Sequence, residues 1–242
     1  MPILAECHVL YYRKDLFDKY GIPHLSPTKS MYPKEFYALT KKLNDVSPKG
    51  IAGTTVRGQR GWGNNMHTFQ VFYHAFAGEY WFDENLNSMI NTKEGVKALE
   101  YYGRLIRDCC PPGTGNTGPD DVLSVFQTGK AATWLAASGL MGFIVQPEKS
   151  VVVDKWGATV CPTGKTLSPA MWHWMLGLAK HSKNKEAAFF WLEWATSPPI
   201  AKKVALTYGN PVRIGIWTSK DFLKQWPYPD WVSATRIGLE YG

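Results

Sequence analysis

The chain has no run approaching the ~20 consecutive apolar residues needed to span a bilayer. Its opening, Met-Pro-Ile-Leu-Ala-Glu, has neither a basic leader segment nor the apolar core of a secretion signal. Taken as a true start, Met1 would point to the cytoplasm. Cysteine is scarce: Cys109 and Cys110 are adjacent, while Cys7 and Cys161 stand alone. No C-x-x-C pair or zinc knuckle can be drawn from them, and small buried thiols are expected. Acidic residues are the minority, 20 against 27 Lys and Arg, giving a formal charge of +7. The basic residues are scattered, so they read as solvated surface and nucleic acid is not an expected partner. There is no internal repeat, low-complexity tract or H-E-x-x-H pair. Ala136 occupies the first glycine position of a nucleophile elbow around Ser138. Gly164-Lys165-Thr166 ends like a phosphate loop, but Thr159 stands where its first glycine would be and Pro162 interrupts it.

What is abundant is aromatic: 11 Trp, 12 Tyr and 11 Phe in 242 residues that are 45% hydrophobic. That is enough apolar material for a packed core, with several rings left over in Gly- and Asn-rich segments. Aromatic faces beside amides and arginines suit carbohydrate, whose C–H faces stack while its hydroxyls take hydrogen bonds.

Val9–Tyr12 reads as a strand and Arg13–Tyr20 as a helix stopped by Gly21 and Pro23. Pro33 opens a helix with Phe36, Leu39, Thr40 and Leu43 on one face, and residues 51–56 read as a buried strand. The segment R-G-Q-R-G-W-G-N-N, residues 57–65, is a donor-rich loop whose glycines allow close backbone approach. Helices follow from Met66 to Gly78, from a capping box at Asn91 and Glu94, and from Asp120 and Asp121; residues 131–135 read as a strand. Alternating strands and helices predict an α/β architecture with a largely parallel sheet. At Asn184 a helix begins whose apolar residues cover most of its circumference, so Trp191 and Trp194 are expected in the core. Pro198 starts another helix, which Gly209 ends before Asn210-Pro211-Val212-Arg213.

Several phrases in one order resemble the bacterial extracellular solute-binding proteins of family 1, the sugar-capturing subunits of ABC importers. They include V-L-Y-Y-R-K-D-L-F-D-K-Y-G-I-P, A-F-A-G-E-Y-W-F-D-E-N, P-P-G-T-G-N, V-F-Q-T-G-K-A-A-T-W, W-G-A-T-V-C-P-T-G, M-W-H-W-M-L-G-L-A-K-H-S-K-N-K-E-A-A and the Asn184–Arg213 stretch. Tyr32, Lys34 and Ala77 stand where the family has Trp, Asp and Gly. The resemblance implies a periplasmic-binding-protein-like (type II) α/β fold, present mainly as the second lobe. Residues 9–148 and 181–242 would form that lobe, with 1–8 and 156–180 as hinge and remnant of the first. It further implies a sugar or polyol ligand, importer membrane subunits as partners, a periplasmic or extracellular location, a monomer and no cofactor.

The candidate ligand residues are Arg60, Trp62, Asn64, Asn65, His67, Trp134, Ser138, Trp172, Trp174, Asn210 and Arg213. Strand alternation puts Trp172 and Trp174 on one face with His173 opposite. Trp134 ends a strand where open α/β sheets present ligands, and Trp62 could stack a sugar or fill a gap. Arg60, Asn64, Asn65 and Arg213 would orient hydroxyls. A rival reading is a glycoside hydrolase using two of Glu79, Asp83, Glu84, Asp120 and Asp121. A third is a receptor lobe that retains no ligand.

Overall fold

The computed structural model describes residues 1–61, 64–78 and 81–241. Its axis is a single long strand, β1 (Pro2–Arg13), buried without interruption from Ala5 to Arg13. Such a run lacks the usual alternation because both faces of the strand are covered. Cys7, Val9 and Tyr11 enter one core cluster. Leu10 and Tyr12 enter two others on the opposite face.

β2 (Thr133–Ala137) and β3 (Trp156–Val160) flank the second half of β1, with Leu10 opposite both Leu135 and Thr159. β4 (Met171–Met175) pairs with the first half, placing Trp172 opposite Glu6 and Trp174 opposite Leu4. All three pairings are antiparallel. The expected parallel sheet is therefore corrected. Helix–strand alternation does not set strand direction when the chain between partners is long enough to return either way. Parallel pairing survives in two isolated bridges, Ala52 to Ala131 and Thr55 to Trp134. These bridges are also what the expected strand at residues 51–56 amounts to. Because β3 is a full partner in the main sheet, the segment 156–180 divides between that sheet and the β1–β4 ribbon.

The first helices follow sequence cues closely. α1 (Lys14–Lys19) is followed by Gly21 at φ 60. α2 (Pro33–Val46) starts at its proline, and Glu35 accepts the Tyr32 N–H at 2.7 Å. α3 (Asn64–Ala77) packs on α4 (Lys93–Cys109), whose cap is Thr92 and not Asn91; the Thr92 hydroxyl accepts the Gly95 N–H at 3.1 Å. α5 (Pro119–Gln127) precedes β2, and a 3-10 turn (Ser138–Leu140) leads into α6 (Met141–Ile144).

The C-terminal third holds α7 (Lys185–Ala195), α8 (Pro198–Tyr208), α9 (Ile214–Trp217), α10 (Lys220–Gln225) and α11 (Pro229–Tyr241). α11 closes the core over β1 and β3, its Trp231 fully buried. α7 reverses the sequence expectation. Leu192 is its one buried residue among the described ones, while Phe190 is 68%, Trp191 53% and Trp194 57% exposed. An all-round apolar helix needs neighbours on all sides, and among the described elements α7 has α8 as its main neighbour. No helix among the described residues is long and apolar enough to cross a membrane.

Candidate functional site

Where the first half of β1 parts from the main sheet to pair with β4, a cleft of about 600 Å³ opens. Its walls come from β1 and β4, the start of α3, the turn after β2 with α6, and the end of α8. Other hollows of similar size lie over α11 and over α2; this one is lined by His67 and Gln146, each with a buried polar atom that has no partner among the described residues.

Glu6 is its floor. One carboxylate oxygen, Oε2, accepts both indole N–H groups, from Trp172 at 2.9 Å and Trp174 at 2.6 Å. Strand alternation does put these two tryptophans on one face, and His173 lines the hollow on the other. The second oxygen, Oε1, lies so close to Gly139 that a Cβ there would come within 1.9 Å of it. A side chain at this position would have to push the carboxylate aside.

Gly209 at φ 73 and Asn210 at φ 51 make a left-handed turn after α8. This turn carries Asn210 back to β1, where its carbonyl accepts the Ala5 N–H at 3.2 Å. Asn210 Oδ1 accepts the Ser138 hydroxyl at 2.8 Å, and Ser138 Oγ in turn accepts the Cys7 N–H at 3.3 Å. Both residues are buried, so they brace the wall. Ser138, fully buried, is a structural partner of Asn210 in place of the ligand contact expected.

On the α3 side, His67 meets Trp172 edge-on, ring centroids 4.6 Å apart, and His8 lies 5.9 Å behind it. Burial, with the nearby Arg57 charge, holds the His67 imidazole below its ordinary pKa and so neutral. Burial lowers His8 further, to about 3. Arg57 faces the cleft from the glycine-rich loop with no acceptor for its guanidinium among the described residues. Burial lowers its pKa, and the charge of Glu6 partly offsets this.

Asn64, His67, Trp172, Trp174 and Asn210 thus share one cleft. Besides Ser138, four expected residues do not line it. Trp134 is fully buried, stacked on Tyr11 at 5.3 Å and Phe126 at 5.5 Å, because the strand runs on to Ala137 and its side chain faces the core. Arg213 donates to the Thr196 carbonyl at 2.9 Å on the surface. Arg60 is exposed, and Asn65 stays outside the lining. Trp62 lies outside the described residues, as does Glu79. The carboxylates of the hydrolase reading do not gather here either. Asp83 caps its own turn, Asp121 accepts the Gly118 N–H, and Glu6 is the one acidic residue among the described lining.

Sequence reading does not reach Glu6, because it starts the strand at Val9. Its signal was a carboxylate inside the run Ile3–Tyr12, which is otherwise apolar but for His8. Arg57 and Arg60 lie in the same loop, and sequence does not tell which of the two turns inward.

Comparisons with known proteins agree with this architecture. The mannitol-binding protein of Pseudomonas aeruginosa is 34% identical over 207 residues, 85% of this chain and 46% of that protein. An ABC transporter solute-binding protein from Agrobacterium vitis, solved with bound D-mannitol, superposes with a TM-score of 0.84 at 30% identity, over 99% of this chain and 57% of that one. Another from Agrobacterium radiobacter, in complex with ribitol, gives 0.82 at 27% identity, over 100% and 59%. The chain spans about half the length of the curated relatives it matches. With the model of the bacterial extracellular solute-binding proteins matching residues 1–202, this chain belongs to that family and has its type II periplasmic-binding-protein-like α/β fold, of which it covers a part.

Proposed function

We propose that this chain binds a carbohydrate or polyol as part of the substrate-binding component of an ABC importer, outside the cytoplasmic membrane. One observation carries the reading: Trp172 and Trp174 stand side by side in the cleft with both N–H groups tied to Glu6, so their orientation is set before any ligand arrives. Fixed indole faces bordered by Asn64, Arg57 and Tyr208 offer stacking and hydroxyl recognition together. The similarity to proteins named for mannitol and solved with D-mannitol or ribitol supports the same ligand class here.

In this reading the main sheet and its helices act as one lobe, and the β1–β4 ribbon is part of the crossing to the other. Membership of β3 in the main sheet argues for drawing that boundary after Val160. Closure of two lobes on ligand is the signal the importer's membrane subunits would sense.

The test is calorimetric titration of the chain with D-mannitol, ribitol and maltose, run beside a glycoside-cleavage assay. Binding of at least one is expected, with Trp172→Ala weakening it at least about tenfold, the scale of a lost stacking contact. Cleavage without stable binding, or affinity indifferent to Trp172→Ala, would defeat the proposal.

A further inference from the structure

Among the described residues lining the cleft, Glu6 and Arg57 are the charged ones, and they are of opposite sign. His67, the titratable imidazole there, is held neutral. The cleft is therefore electrically balanced while being partly withdrawn from water. Glu6 Oε2 is committed to two indoles, whereas Oε1 has no N–H or O–H donor among the described residues. Arg57 has donors and no acceptor among the described residues. The cleft thus offers one charged acceptor and one charged donor to whatever enters, and each lacks a partner of its own.

From this we infer that the Glu6–Arg57 pair is a charge filter: it selects neutral ligands carrying vicinal hydroxyls and rejects their carboxylate-bearing counterparts. One hydroxyl of a diol donates to Glu6 Oε1 and its neighbour accepts from Arg57, which satisfies both groups without changing the net charge. A carboxylate can pair with Arg57 only by bringing a second negative charge beside Glu6, and like charges in a low-dielectric site repel strongly. Selection of this kind works through the unfavourable contact as much as through the favourable one. The inference rests on the binding reading above and names the ligand class that the same cleft takes.

The test uses the full chain, with D-mannitol and its oxidised counterpart D-mannonate as probes, followed by NMR through the indole Nε1–H signals of Trp172 and Trp174 and the Nε–H of Arg57. D-mannitol is expected to move all three signals and to bind at least about tenfold more tightly than D-mannonate, as the added like charge requires. Glu6→Gln removes the negative partner and should shift the mannitol-to-mannonate preference at least about tenfold toward mannonate. Arg57→Gln should shift it the other way, so the two variants give opposite signs that a general loss of folding cannot imitate. Equal affinity for the two probes in the wild type overturns the filter while leaving polyol binding intact. So does a preference unchanged by either variant. Silence toward both probes at saturating concentration overturns the filter, and silence toward ribitol and maltose as well overturns the binding reading.

Discussion

Glu6 and His8 are separated by one residue on the same face of β1, and burial treats them differently. Glu6 keeps its place because two indoles donate to it. His8, 1% exposed with no partner for Nδ1 among the described residues, is kept neutral, its pKa lowered to about 3. An unfolded histidine takes up a proton near pH 6.5, whereas the folded one does so only near 3. Between those values the unfolded state holds more protons, so stability is complete above about pH 6.5 and falls as pH drops, by about 1.4 kcal/mol per unit. His67 is shifted in the same direction and adds to the trend. Urea unfolding from pH 7 to pH 5 should show the decline, and His8→Leu should flatten it; parallel curves for the two proteins would refute the assignment. The residue type was visible in the sequence. Its burial was not, because His8 shares a strand with Glu6 and reads locally as polar.

At the scale of the element, α7 carries the sharpest disagreement between pattern and packing. Its sequence is apolar on every side, yet Phe189, Phe190, Trp191 and Trp194 are all at least 44% exposed. Periodicity reports how a helix would like to be covered, and whether covering elements exist is a property of the rest of the fold. Because these side chains contribute little burial here, Phe190→Gln combined with Trp194→Gln should change unfolding free energy by no more than about 1 kcal/mol. It should also lower binding of a hydrophobic dye and any self-association seen by sedimentation. A loss of several kcal/mol would show that the pair is packed. By contrast, α2 begins at Pro33 as its sequence announces, since a proline at the first helical position is a local signal that needs no partner, and α5 begins at Pro119, one residue before the expected Asp120.

For the whole molecule, β1 is the member on which everything else is assembled. It pairs with β2, β3 and β4, and its alternate residues feed core clusters on opposite faces. Leu10→Pro would remove a donor from a strand with neighbours on both sides and force the backbone out of the ladder. The cost is about 3 kcal/mol or more, a large share of what a domain has. A cooperative unfolding transition that persisted with an unchanged midpoint would contradict the central role of β1. Legible from residues alone were the limits of several helices, α2 and α8 among them, the shared face of Trp172 and Trp174, and the α/β solute-binding fold, since these depend on local geometry or on the order of phrases along the chain. The antiparallel sheet, the burial of Trp134, the exposure of α7 and the meeting of Glu6 with Trp172, Trp174 and Arg57 follow from the three-dimensional fold. Those depend on which distant segments come together, and a side chain's own neighbours in sequence exert no force that specifies it.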